Sequence, residues 1–140
     1  MRVLVLSAYD APSHKRWHQN LVDALDDIHW TVLTLPPRYF RWRIRANSLY
    51  WALACREQLL QPYDVVLATS MTDLTGLRSL LPELAKIPTI IYFHENQFVY
   101  PVTLQQHALL EPQMMTLYSA LSADALVFNS AFNRDTFMAG

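Results

Sequence analysis

Glycine is almost absent from this chain: Gly76 and Gly140 are the only two in 140 residues. A phosphate-cradling loop needs several glycines in one turn so that backbone N–H groups can close on the ligand. The G-x-G-x-x-G dinucleotide fingerprint and the P-loop are therefore excluded, and any phosphate must be held by side chains or helix N-termini. Cysteine is scarcer still. A lone Cys55 rules out an internal disulfide framework and fits a reducing compartment. No apolar run approaches the roughly 18 residues needed to span a bilayer. The apolar start, Met1–Ser7, is too short for a signal peptide and has no small-residue cleavage site after it. The net charge of -1 provides no overall field toward nucleic acid or membrane. A soluble cytoplasmic protein without a membrane partner is expected.

Hydrophobic residues are abundant, at 52%, enough for one domain with a core. Strands are predicted at Arg2–Ser7, Thr31–Leu35, Asp64–Thr69, Thr89–Phe93 and Ala125–Phe128. Between them lie helical stretches. The first covers His14–Leu25, capped by Ser13, with Trp17, Leu21, Val22 and Leu25 as its apolar stripe. The next is capped by Asn47 or Ser48 and buries Leu49, Leu53 and Leu59-Leu60. Leu74–Leu84 is broken or kinked at Pro82, Val102–Leu121 contains Pro112, and Ala131–Met138 starts a last helix. This alternation implies an α/β, Rossmann-like parallel sheet with helices on both faces. The chain stops just after a helix, where a doubly wound domain would usually add a strand, so a truncated domain is expected.

Strand four ends on His94-Glu95-Asn96-Gln97. Open parallel sheets bind ligands just beyond the carboxyl ends of their strands, so an apolar strand discharging four polar groups there reads as a site. His94 can donate a hydrogen bond to a phosphate or sugar hydroxyl, or act as a general base. Glu95 can orient it, and Asn96 and Gln97 can read an acceptor edge. The loop after strand one brings Tyr9, Asp10, Ser13, His14 and Lys15 to the same edge, where an N-cap serine with solvated neighbours is the plainer reading. Thr69–Asp73 and Asn129–Arg134 suit helix caps, with Ser130 capping the last helix. The segment Pro36–Arg45 holds four of the eleven basic residues, Arg38, Arg41, Arg43 and Arg45, alternating with aromatic or apolar ones. Guanidinium groups grip phosphates bidentately and rings stack on bases or sugars. An amphipathic connector with solvated arginines is the alternative. His14, His94 and the nearby carboxylates match no His-x-x-x-His or Glu-x-x-His pattern, so no metal is expected.

Taken in order, Ser13-His14-Lys15, Arg41-Trp42-Arg43-x-Arg45, Met71-x-Asp73-Leu74, Tyr92-Phe93-His94-Glu95-Asn96-Gln97-x-x-Tyr100-Pro101 and Phe128-Asn129-Ser130-x-Phe132-Asn133 resemble the N-terminal domain of the glycosyltransferase-like family that includes the tRNA-queuosine mannosyltransferases. The resemblance covers nearly the whole chain. One departure is Ala11-Pro12, where the family usually has glycine before the Ser-His pair. Membership would imply that residues 1–140 are the partial, acceptor-side N-terminal half of a GT-B enzyme, with a nucleotide-sugar domain lying beyond Gly140. The implied reaction is transfer of mannose from GDP-mannose to queuosine in tRNA, with retention and no bound metal. No cofactor would be held by this segment, and alone it would be inactive. His94 and Glu95 would be catalytic. Ser13, His14, Lys15, Arg41, Arg43, Arg45, Asn96, Gln97, Tyr100, Asn129, Ser130 and Asn133 would line the acceptor side, with the arginines suiting an RNA backbone. The competing readings are a non-catalytic RNA- or protein-binding module and an inactive remnant dimerising through an exposed sheet edge. His94-Glu95 separates them, because a binding module has no need of those groups at a strand end.

Overall fold

The computed structural model describes residues 1–99 and 110–140. Strands β1 (Arg2–Ser7), β2 (His29–Thr34), β3 (Val65–Thr69), β4 (Thr89–Phe93) and β5 (Ala125–Phe128) form one sheet in the order β2-β1-β3-β4-β5, every neighbouring pair parallel. The α/β expectation is met. Helices α1 (Pro12–Ala24), α2 (Phe40–Ala54), α3 (Arg56–Leu59), α4 (Leu74–Leu80), α5 (Leu110–Ser122) and α6 (Ala131–Ala139) follow the strands, with a 3-10 turn at Pro82–Lys86. Central β1 is covered on both faces, so Val3, Leu4, Val5 and Leu6 are all buried, as a continuous apolar run in a parallel sheet requires. The chain leaves β1 toward β2, then crosses to β3 on its other side. This reversal makes the carboxyl edge between β1 and β3 the topological switch point, the place where doubly wound sheets bind ligands.

Alternate strand residues Leu4, Leu6, Val66, Ala68, Ile91 and Phe93 cluster with Ile44 and Trp51 of α2, Leu74 and Leu77 of α4 and Met115 of α5. Two helix expectations need correction here. Helix α2 begins at Phe40, so Asn47 and Ser48 lie in its middle rather than at its cap. Leu49 and Leu53 are exposed and Leu60 is partly so, whereas Leu59 is buried. The stripe that faces inward is Ile44, Asn47, Ser48, Trp51 and Ala52. The two polar residues can be buried because the loop after β3 satisfies them. Asn47 Nδ2 donates to the Met71 carbonyl at 3.2 Å, its Oδ1 accepts from the Asp73 N–H at 2.9 Å, and Ser48 donates to Asp73 Oδ2 at 2.7 Å. Helix α1 differs too. Pro12 occupies its first turn after Ala11, and Ser13 gives no cap bond. Proline suits that position, where its missing N–H would be unpaired anyway. The buried side chains of α1 are His14 and His18, while Leu25 is exposed.

The local signals are present as read. Asp73 caps α4 by accepting from the Gly76 N–H at 2.9 Å, and Ser130 caps α6 by accepting from the Asn133 N–H at 3.2 Å. Pro82 opens the 3-10 turn that follows α4. At Gly76 a Cβ would lie 2.1 Å from Asp73 Oδ2 and 2.8 Å from Ser48 Oγ, so close approach of the cap requires glycine there. Pro112 lies in the first turn of α5, and the part of the expected helix at 102–109 lies outside the described residues.

At the amino edge of the sheet, Arg78 of α4 ties three elements together. Its Nη1 donates to the Ser122 carbonyl, and its Nη2 donates to Thr89 Oγ1 at 2.8 Å and lies 3.4 Å from Asp124 Oδ2. Asp124 in turn accepts from the Thr89 N–H at 2.8 Å.

Candidate active site

β4 delivers His94 to the carboxyl edge, and three rings surround its imidazole. The His14 ring lies 4.0 Å away between centroids, Tyr92 at 4.8 Å and Trp17 at 5.0 Å, all edge-on. Trp17 stacks on Tyr92 at 4.6 Å, closing α1 over the end of β4. The main chain is braced from the far side, where the His94 carbonyl accepts from Asn129 Nδ2 at 2.7 Å and Asn133 Nδ2 at 3.3 Å. Asn133 also donates to Asn129 Oδ1.

The two histidines are electrostatically opposed. His14 Nδ1 meets the Tyr9 carbonyl at 2.7 Å. A carbonyl only accepts, so this nitrogen carries the hydrogen. His14 Nε2 faces Glu95 Oε2 at 3.4 Å. Burial works against a charge on His14, but the Glu95 carboxylate, the Tyr9 carbonyl and Asp10 together outweigh it, and its pKa rises above the usual value. For His94, burial and the neighbouring His14 and His18 act in one direction and push the pKa down to about 3. Its ring is therefore neutral at neutral pH. His94 Nε2 is buried and, among the described residues, has no hydrogen-bond partner. Buried polar atoms are nearly always satisfied, and His14 Nε2, Thr69 Oγ1 and Ser70 Oγ share this state at the same edge, so several unspent polar atoms converge there. A base as weak as His94 cannot carry a proton away efficiently; what it offers is a hydrogen bond.

Behind these groups, His18 Nε2 lies 3.1 Å from Asp10 Oδ1, which also accepts from Ser7 Oγ at 2.9 Å. His18 is not among the site residues expected from the sequence. The signal was there: His14-x-x-x-His18 has the very spacing held to be missing, since residues four apart share a helix face. Among the described residues no group of three or more His, Cys, Asp or Glu is placed to hold a metal ion.

The model of the tRNA-queuosine alpha-mannosyltransferase N-terminal family matches residues 2–140. The chain belongs to this family. A curated relative, the tRNA-queuosine alpha-mannosyltransferase of Drosophila melanogaster, is 32% identical over 137 residues. The match takes in 97% of this chain and 36% of the relative, so the chain spans about a third of the length of the curated relative it matches. Among the described residues no helix is long and apolar enough to cross a membrane.

For this tRNA-queuosine alpha-mannosyltransferase N-terminal family member, the structure sorts the remaining expected site residues by position. His94, His14 and Glu95 come together, with Asn129 and Asn133 beneath. Asn96 is turned inward: its amide donates to Thr136 Oγ1 at 3.0 Å and its oxygen accepts from the Phe98 N–H at 2.9 Å, pinning the loop to α6. Gln97 is buried, and its carbonyl accepts from Gln113 Nε2 at 3.1 Å. Ser130 is occupied as a cap. Ser13 and Lys15 are exposed on the first turn of α1, and Tyr100 lies outside the described residues. Of the arginine segment, open between connector and site in the sequence, Arg38 lies just before α2, and Phe40–Arg45 forms the first turns of that helix. There Arg41 is exposed, Arg43 half-buried, and Arg45 paired with Glu111 of α5 at 3.0 Å. Tyr9 packs edge-on against Phe40 at 5.4 Å, linking the histidine cluster to the start of α2.

Proposed function

We propose that this chain is the acceptor-side part of a GT-B glycosyltransferase that transfers mannose from GDP-mannose to queuosine in tRNA, with retention and in the cytoplasm. Support comes from family membership and from one observation above the rest: the neutral His94 Nε2 at the carboxyl edge, which has no hydrogen-bond partner among the described residues and lies beside the His14–Glu95 pair. In the overall reaction a queuosine hydroxyl bonds to the anomeric carbon of mannose, the bond from that carbon to the phosphate oxygen breaks, GDP leaves, and the hydroxyl proton is lost. His94 holds a hydroxyl or phosphate oxygen of the donor sugar by a hydrogen bond from its neutral ring. Glu95 favours the charged form of His14, which adds to the burial that holds His94 neutral. Arg41 and Arg43 contact the RNA backbone. The donor's nucleotide is held by a domain beyond these residues, so both faces of the cleft are needed for turnover.

In the full-length enzyme, His94→Ala is expected to lower kcat by roughly 10²–10³-fold, the loss typical of one transition-state hydrogen-bond donor, with an unchanged circular dichroism spectrum. Transfer of labelled mannose to tRNA at the wild-type rate would sink the assignment.

A further inference from the structure

A groove of about 400 Å³ runs along α2 beside its inward stripe, lined by the exposed Tyr39, Trp42 and Tyr50 together with Arg43, Ala46 and the buried Asn47. Its volume falls within the range of about 300–1,000 Å³ found for ligand sites. The residues recur every three or four positions, so they form one stripe along the helix. Three large rings stand open on it: Tyr39 is 72% exposed, Trp42 75% and Tyr50 52%. Rings left in water along one stripe mark a surface that meets a partner. Tyr39 adopts φ 55° and ψ 52°, and among the described residues no other non-glycine residue has a positive φ. That conformation is unfavourable for a residue with a side chain, and it places a ring at the mouth of the groove.

The charge around the groove selects the partner. No Asp or Glu occurs between Asp27 and Glu57, while Arg38, Arg41, Arg43 and Arg45 cluster at the start of the stripe. Arg45 is engaged by Glu111. Arg43 Nε is buried and, among the described residues, lacks a hydrogen-bond partner. The Arg38 guanidinium lies 5.8 Å from the centre of the Tyr39 ring. A polyanion carrying flat, exposed rings meets both demands, and a duplex, whose bases are stacked inside, does not. From Tyr39 to Tyr50 the helix advances about 16 Å, which accommodates several nucleotides. Its first turn is at the carboxyl edge of the sheet, beside Tyr9, whose carbonyl holds His14.

We infer that the α2 groove binds unpaired bases of an RNA loop, with Trp42 as the principal stacking surface and the adjacent arginines on the phosphates. This site is separate from His94. It rests on the proposed function only in taking an RNA as partner, and it needs no sugar transfer.

The test uses the full-length protein without donor, titrated by fluorescence anisotropy against a labelled RNA hairpin and a blunt duplex of equal charge. The hairpin is expected to bind at least tenfold more tightly than the duplex. Trp42→Ala is expected to weaken hairpin binding by about tenfold or more while leaving duplex binding unchanged, and Trp42→Phe to keep most of the affinity. Equal affinity for hairpin and duplex, or an unchanged hairpin affinity in Trp42→Ala, would overturn the inference. So would a sedimentation result in which Trp42→Ala turns a dimer into a monomer with RNA binding intact, which would assign the groove to a second copy of the chain. Loss of hairpin preference in Trp42→Ala would uphold the groove even if no mannose transfer were found.

Discussion

The pairing of His14 with His94 makes the site an electrostatic couple. Since the charge on His14 is one cause of the depressed His94 pKa and burial is the larger one, His14→Gln is expected to raise the His94 value above about 3 yet leave it below 6.5. Titration of the His94 Cε1 proton by NMR reads this directly, and an unmoved value would mean the two rings are not coupled. The stability consequences have opposite signs. Between about 3 and 6.5 the unfolded chain holds a proton on His94 that the folded one refuses, so His94 makes the fold less stable as pH falls through that window. His14, with its raised value, contributes stability that is complete below 6.5 and lost as pH rises through its folded pKa. The polar end of strand four was legible because four hydrogen-bonding residues follow an apolar run. The opposed charge states were not, because they depend on a ring brought in from α1.

At the scale of elements, the five strands were readable because buried parallel strands are short continuous apolar runs, and the caps at Asp73 and Ser130, though not those expected at Ser13 and at Asn47 or Ser48, because their partners sit three residues away. Helix α2 was misjudged for a physical reason. Asn47 and Ser48 look like boundary residues, yet each is satisfied by the loop around Asp73, about 25 positions along the chain. Long-range satisfaction of buried polar groups leaves no trace in a local pattern. The same junction reverses a common rule. Glycine to alanine inside a helix usually gains up to about 1 kcal/mol. Gly76→Ala is expected to lose about 1 kcal/mol instead, since the new Cβ displaces the Asp73 carboxylate from its cap and from Ser48. A urea midpoint at or above that of the wild type would show that the cap yields easily.

For the whole molecule, a net charge of -1 conceals a polarised surface, with four arginines within Arg38–Arg45. Counterion release links that cluster to RNA affinity: Arg43→Ala in the full-length enzyme is expected to weaken tRNA binding and reduce the slope of log affinity against log salt by about one. An unchanged slope would remove Arg43 from the phosphate contacts. The parallel sheet and its alternation with helices could be inferred from the sequence alone. The strand order could not, because the hydrophobic pattern does not record on which side of β1 the third strand lies. Nor could the open rings of α2 be recognised as a groove, since exposure depends on which helix face meets the core.

The Arg78 clamp and the histidine cluster lie at opposite edges of the sheet, connected by β4, whose five residues span about 16 Å. By fastening Thr89 and Asp124 together, the guanidinium indexes β4 against β5. A slip of one residue there would turn the His94 ring to the other side of the sheet. Arg78 thus works as the zero mark of a ruler whose far end is read in the active site. In an activity screen, changes at this mark would imitate the loss of a reacting group while the chemistry itself stayed untouched.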